Sequence, residues 1–413
     1  MLAWYKVTNM EITRTARVKI GLPVEVAETF IAAYTAACQF ASDVAFTLKR
    51  PSDIKELNTR CYGAIREKFN LSAQVTCSCL RVVVGRYSAL KVLKRPPTKP
   101  VVFTGEPVSL QGGERGRDFS FTKKGLISLT TLEGRAKVSF EGPPTLPTFI
   151  KDWTLGGALL QVKDGAVYLL ISFDKEVAEV TAPNNAVVGG DRGINNLLVG
   201  TDGKKQVFFG GGHVLHRKRH YQDVRASIQS QKAKRPTRSI RRLLKRLGDR
   251  EARFMKNTDH VVSKQFVAFA ANCGSPVIAL EGLGGIRESS LDKGKWFRRE
   301  IHRWSYFRLE LYITYKANDL GFTVMPVDAA YTSQGCSRCG YIAKANRKGN
   351  QFHCQACHYQ LHADLNAARN IRLRCILARQ ARAGMGPLSV APKVPSLLGT
   401  SPLHSSNELG GGN

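Results

Sequence analysis

The sequence predicts a multidomain α+β/α chain: a small β-barrel with a helical insertion after its first strand, then an α/β unit that carries a metal ribbon. Three observations point there. The first half combines one alternating segment, three helical stretches and a run of short strands between Gly and Pro turns. The second half holds two apolar runs that each end on a carboxylate, and it also holds two C-x-x-C pairs. At 413 residues the chain has room for two or three units, each with its own core.

Taken in order, residues 11–20 alternate apolar and polar side chains and read as a strand. Residues 24–49, 53–69 and 73–93 carry helical patterns. Short strands follow at 101–103, 126–129, 137–140, 158–162 and 167–171. Pro183 marks a boundary. Residues 186–190 form a buried strand that leads into Asp191. Residues 197–199 and 207–209 flank Asp202-Gly203 and read as a hairpin. The stretch 213–256 is helical, interrupted at Pro236, with fifteen Lys or Arg against three acids. Residues 276–280 are a second buried strand, ending at Glu281. A helix over 301–320, a strand over 322–325 and a short helix over 363–379 complete the pattern. The tail 382–413, rich in Gly, Pro and Ser, reads as flexible.

Sixty-two Lys and Arg face 32 Asp and Glu, a net charge of +30. Such an excess repels itself in a compact state unless a polyanion neutralises it, so nucleic acid is the leading partner. No run of 18 apolar residues occurs. The most apolar long stretch, 24–48, carries Glu25, Glu28 and Asp43, which suits a packed helix rather than a membrane span. The N-terminus lacks the basic, apolar and cleavage regions of a secretory signal, so an intracellular protein without membrane contact is expected.

An intracellular chain is not expected to use its ten cysteines as a disulfide framework. Cys336-Ser-Arg-Cys339 and Cys354-Gln-Ala-Cys357 are separated by fourteen residues. Each pair puts two thiolates on one turn, and two such turns close a tetrahedron around one Zn²⁺. Four thiolates fill the site, so this zinc is structural. His353 and His358 border the second pair but are not needed as ligands. Arg338, Lys344, Arg347 and Lys348 suggest that the ribbon turns a face to nucleic acid. Cys38, Cys61, Cys77, Cys79, Cys273 and Cys375 read as small buried hydrophobes.

Asp191, Glu281 and Asp364 are the candidate catalytic residues. A lone Asp after a strand is more often a cap or turn residue. A charge that ends a buried strand is nevertheless costly unless something compensates it, and divalent cations do so. Arg238, Arg241, Arg242, Lys245 and Arg246 fall at helical spacings of three and four with few acids between, which favours a helix face turned to nucleic acid. Trp296, Trp304, Tyr306 and Phe307 are aromatics that could stack on bases; for Trp304 and Phe307 a core position is the better expectation.

Several segments resemble the TnpB family of transposon-encoded nucleases and the related compact type V CRISPR effectors. They are Gly190-Asp191-Arg192-Gly193-Ile194-Asn195-Asn196-Leu197, Ile278-Ala279-Leu280-Glu281-Gly282-Leu283, Trp304-Ser305-Tyr306-Phe307, Tyr315-Lys316-Ala317, the stretch from Tyr331 to Gly340, and Asp364-Leu365-Asn366-Ala367-Ala368-Arg369-Asn370-Ile371. The resemblance covers about residues 187–373; the N-terminal half matches in layout alone. It departs at Ala363, where the family commonly has Arg, and at Arg192, where many transposon members have an apolar residue.

The resemblance implies a bilobed architecture: a wedge-type β-barrel (1–22 and 97–182) with a helical recognition insert (23–96), then an RNase H-like RuvC nuclease. The nuclease would comprise 183–330 with the basic helix 213–256, an inserted zinc ribbon (331–362) and a third-motif helix (363–381). It further implies two Mg²⁺ ions, or Mn²⁺, on Asp191, Glu281 and Asp364, with Arg338 and the basic helix on nucleic acid. A guide RNA would pair with target DNA beside a short flanking motif read by the N-terminal half, where Asn58, Arg60, Arg81 and Arg86 lie on helices. A cytoplasmic, nucleoid-associated prokaryotic protein, monomeric or dimeric on its RNA, is implied too. Two rivals stay open: an unguided, structure-specific RuvC-like nuclease, and a non-catalytic zinc-ribbon DNA-binding or transposition accessory protein.

Overall fold

The computed structural model describes residues 9–113, 117–232, 238–282 and 306–385. The chain divides into two compact units, with the boundary between Val177 and Ala178, a few residues before the expected Pro183. The expected break at Pro236, the aromatics Trp296 and Trp304, and the tail beyond residue 385 lie outside the described residues.

In the first unit β1 (Asn9–Ile20) leads into α1 (Val24–Thr47), α2 (Ile54–Phe69) and α3 (Ala73–Val92). Local chemistry sets these helix ends. The Asp53 carboxylate accepts from the backbone N–H groups of Lys55 and Glu56, 3.0 and 3.2 Å away, and so caps α2. Asn70 takes the left-handed conformation that closes it, and Ser72 caps α3 through the Val75 N–H.

Then follow β2 (Val108–Gln111), β3 (Phe119–Phe121), β4 (Ile127–Thr131), β5 (Gly134–Val138), β6 (Phe140–Glu141), α4 (Leu146–Asp152), β7 (Thr154–Lys163) and β8 (Ala166–Ala178). Five strands pair in the order β2-β7-β8-β1-β6, and β3-β4-β5 form a second sheet. The β7–β8 turn, Asp164-Gly165, has positive φ at both residues, as a two-residue hairpin requires. One core joins the helices to the strands through Phe30, Tyr34, Leu57, Leu80, Leu110 and Phe173.

The strand expected at 101–103 does not form. Its backbone groups bond instead to helix side chains: Val101 N–H to the Tyr87 hydroxyl, Phe103 N–H to the Gln39 amide oxygen, and Val101 C=O to the Ser42 hydroxyl. Once a segment's polar backbone atoms have such partners, it no longer needs a neighbouring strand.

The second unit carries β9 (Val187–Asp191), β10 (Asn196–Thr201), β11 (Gln206–Gly210), α5 (Gly212–Lys232), α6 (Arg238–Asn272), β12 (Val277–Glu281), α7 (Tyr306–Asn318) and β13 (Thr323–Val327). A short ribbon of β14 (Arg347–Lys348), β15 (Gln351–His353) and β16 (Gln360–His362) precedes α8 (Ala363–Met385). The central sheet runs β11-β10-β9-β12-β13; β9–β10–β11 is an antiparallel meander, and β12 lies parallel to both β9 and β13.

Strand alternation gives the sheet two apolar faces. Val188, Ile278 and Leu280 pack with Phe266 of α6 and Ile313 of α7. Val187, Val277 and Ala279 pack with Ile371 and Cys375 of α8. Gly189 is required here: a Cβ on it would stand 2.2 Å from the Ala368 carbonyl oxygen. The bare strand lets α8 approach closely.

Candidate metal centres and nucleic-acid interface

Parallel pairing places the ends of β9 and β12 together. Leu280 is the partner of Gly190, so the next residues, Asp191 and Glu281, stand side by side at the same end of the two strands. Asp364 arrives from the first turn of α8, which packs on β9; a carboxylate is favoured at a helix N-terminus. Asp191 and Asp364 are buried and Glu281 is half-buried.

The charges of Asp364 and Glu281 both act on Asp191. Burial pushes the Asp191 carboxyl well above the usual carboxylate range, and the charges of Asp364 and Glu281 push it further. Burial raises Glu281 as well, with the Arg192 guanidinium opposing the shift. A buried Asp191 whose ionisation is opposed by two further carboxylates fits a divalent cation, which supplies the missing positive charge.

The neighbours of these acids were only partly legible in the sequence. Arg347 of β14 donates to one oxygen of Asp364 at 2.9 Å, and Asn196 donates to the other at 2.9 Å. The Thr332 hydroxyl approaches Glu281 Oε1 at 3.4 Å. Sequence reasoning gave Arg347 to a general nucleic-acid face, but folding brings it to the carboxylates. Its spacing from Asp364 carried no signal, because the ribbon strands intervene.

The third-motif helix also clamps the ribbon. Asn366 accepts from Ser337 N–H at 3.0 Å and donates to the Gly335 carbonyl at 2.7 Å. Asn370 donates to the carbonyls of Thr332 and Gly335, and Arg369 to the Tyr359 hydroxyl. The first two turns of α8 thus present Asp364 and fasten the ribbon that presents Arg347.

The Sγ atoms of Cys336, Cys339, Cys354 and Cys357 lie within 4.8 Å of one another. Backbone N–H groups of Arg338 and Cys357 point at the sulfurs of Cys336 and Cys354, both at 3.4 Å, the arrangement that supports thiolate ligands. Burial opposes ionisation of Cys354, yet N–H donors from Cys357 and Ala356 win and bring it down to about 7. This donor set fits Zn²⁺. His353 and His358 face each other, with ring centroids 5.9 Å apart. Of the six other cysteines, Cys38, Cys61, Cys79 and Cys375 are buried as expected, whereas Cys77 and Cys273 are only half-buried.

A cleft of about 380 Å³ is lined by Asn195, Ser333, Gln334, Lys344, Asn350 and Arg347, the last of which bonds to Asp364. It is polar and carries two cations. Arg238, Arg241, Arg242, Lys245 and Arg246 are all exposed on α6. Arg338 lies over the Tyr359 ring, 5.7 Å from its centroid. Phe307, expected in the core, is 78% exposed: it occupies the outer side of α7, while Leu309 and Ile313 take the inner side. In the first unit Arg60 pairs with Glu56 and Arg86 with Glu106. Among the described residues no helix is long and apolar enough to cross a membrane.

The chain has relatives among known proteins. A family model described as the Cas12f1-like TNB domain matches residues 306–371. The CRISPR-associated endodeoxyribonuclease Cas12f1 of Sulfoacidibacillus thermotolerans is 40% identical over 131 residues, 32% of this chain and 29% of that one. The putative RNA-guided DNA endonuclease InsQ of Escherichia coli (strain K12) is 29% identical over 228 residues, 50% of this chain and 53% of that one. The matched part therefore spans about half or less of these relatives' own length. Among solved structures, the Cas12f1–sgRNA–target DNA complex shares the fold with a TM-score of 0.58 at 15% identity, over 84% of this chain and 80% of that one. In its motifs and sequence relatives the chain is similar to TnpB-like proteins and compact type V effectors, and it shares the fold of the latter.

Proposed function

We propose that this chain is an RNA-guided DNA endonuclease with a single RuvC-type site at Asp191, Glu281 and Asp364. The observation that carries the proposal is that Asp191 and Glu281 end two neighbouring strands while Asp364 comes from the helix packed on them, with burial and the charges of the other two acids opposing ionisation of Asp191. A non-catalytic binder has no use for that expense. The relatives' names, an endodeoxyribonuclease and a putative RNA-guided DNA endonuclease, support the same reading.

In this reading the three acids hold two Mg²⁺ ions, whose chemistry is to activate water and stabilise the leaving oxygen of a phosphodiester. The protein's own part is positioning. Asn196 and Arg347 fix the direction of the Asp364 carboxylate. Lys344 and Arg347 offer positive charge in the adjoining cleft, where a DNA phosphate would sit. Zn²⁺ on the four thiolates holds the ribbon in shape. The exposed arginines of α6, together with the +30 charge, suit a folded RNA. The first unit would serve as the wedge and recognition module that reads the flanking motif.

The test is to sequence the RNA that co-purifies, then change its guide segment. Cleavage should move to the new complementary DNA and should require both RNA and Mg²⁺. Efficient site-specific cutting by RNA-free protein would overturn the guided reading and leave an unguided nuclease.

A further inference from the structure

We propose that Arg192 is a positioning residue for the metal site: its buried guanidinium grips the backbone carbonyl of Glu281 and is itself anchored by Glu310 of α7. The inference rests on the metal-site reading given above.

The Arg192 side chain is wholly buried, directly after Asp191. A buried cation is tolerated only with well-placed partners. Arg192 Nη1 pairs with Glu310 Oε2 at 2.7 Å, and Nη2 donates to the carbonyl oxygen of Glu281. The guanidinium thus reaches from the end of β9 to the end of β12, on whose final residue the second carboxylate stands. On the other side of that peptide, the Gly282 N–H is held by the Val327 carbonyl at 2.8 Å.

Strand ends fray where the ladder stops, and Glu281 is the last residue of its strand. Holding its peptide on both sides fixes the direction from which the carboxylate projects. Glu310 supplies a rigid anchor, because α7 packs its inner residues Leu309 and Ile313 into the core.

The fork geometry matters. A guanidinium serves two acceptors in one plane, whereas a lysine ammonium is a point donor on a flexible stem. Arg192 therefore orients one ligand. It needs no contact with DNA.

The test uses the full chain with its RNA and three variants: R192K, E310Q and D191A. Readouts are Mn²⁺ binding by electron paramagnetic resonance, kcat and KM for DNA cleavage, and thermal melting. Replacing groups that orient metal ligands costs about 10- to 100-fold in affinity or activity. R192K should therefore need about tenfold more Mn²⁺ for half-saturation and lose kcat, with KM for DNA and the melting curve unchanged. E310Q keeps an acceptor of the same shape and should show a smaller shift in the same direction. If R192K fails to fold, E310Q decides alone: a raised Mn²⁺ requirement at unchanged melting supports the role, and parent-like Mn²⁺ binding overturns it. Parent-like Mn²⁺ binding by R192K while D191A has lost it overturns the positioning role and leaves the metal site standing. Parent-like cleavage by D191A overturns the metal site, and the role of Arg192 with it.

Discussion

The four thiols and the three carboxylates are both candidate metal centres, yet they are built in opposite ways. The thiols come from 22 consecutive residues, and two tight turns bring them together. The carboxylates come from positions 191, 281 and 364, and only the pairing of β9 with β12 and the packing of α8 on β9 bring them together. The first centre closes on itself and leaves no ligand position for chemistry. The second lies at the ends of two central strands, and Arg347, which bonds to one of its acids, lines an open polar cleft. A local centre can hold a small ribbon in shape; a long-range one can be held rigidly enough, by a whole core, to position a substrate.

Removing a carboxylate should separate the two centres most sharply. Asp191→Ala should reduce DNA cleavage to background while zinc content and RNA binding stay at the parent level. Cleavage assays beside metal analysis and filter binding check this. Retained cleavage would mean that the carboxylate cluster is not the reacting centre.

The converse change starts at the ribbon. Cys336→Ser should take bound zinc from about one ion per chain to well below that, because ligand loss and local unfolding are linked. Arg347 stands on that ribbon and bonds to Asp364, so cleavage should fall as well, though less completely than in Asp191→Ala. If cleavage survived the loss of zinc unchanged, the two centres would be independent.

Packing between them offers a finer test. Gly189→Ala places a methyl group against the Ala368 carbonyl and should push α8 away from β9. Overpacking of this kind typically costs about 1–3 kcal/mol. For a unit of this size each 1 kcal/mol lowers the melting temperature by about 2–4 °C. Cleavage should drop because Asp364 moves with α8, whereas zinc content should not change. Melting curves and metal analysis on one sample distinguish these outcomes.

The smallest effect belongs to a group outside both centres. Lys316 on α7 donates to the His260 carbonyl at 2.8 Å and to the Ser263 hydroxyl. Burial, with the nearby Lys264, lowers it from 10.5 to about 8. Between these values the unfolded chain binds more protons than the folded one, so this residue makes stability rise as pH goes from about 8 to 10.5. Lys316→Met should flatten that part of the stability profile, measured by denaturant unfolding across the window. A parent-like slope in the variant would remove Lys316 as the cause.

The contrast between the centres also accounts for what could be read early. Helix ends at Asp53, Asn70 and Ser72 follow from side chains that cap their own backbone. The Asp202-Gly203 hairpin follows from a carboxylate that accepts from Lys204 and Lys205 N–H and a glycine at φ 98°. The strand expected at 101–103 was lost to partners more than fourteen residues away on either count, Gln39 and Ser42, which no local pattern contains. Phe307 was misplaced because apolarity alone does not say which side of a helix meets the core.

By itself the sequence determined most of the elements, because spacing, capping and alternation are short-range and act on neighbouring residues; it also marked four thiols by their spacing, and three acids by resemblance, as candidate metal ligands. Only the tertiary structure decided that Arg347 and Asn196 hold Asp364, that Asn366 and Asn370 fasten the ribbon, and that Arg192 spans from β9 to β12. Those contacts join residues as far as 168 positions apart. They exist because a buried polar group must find a partner wherever the packed fold places one.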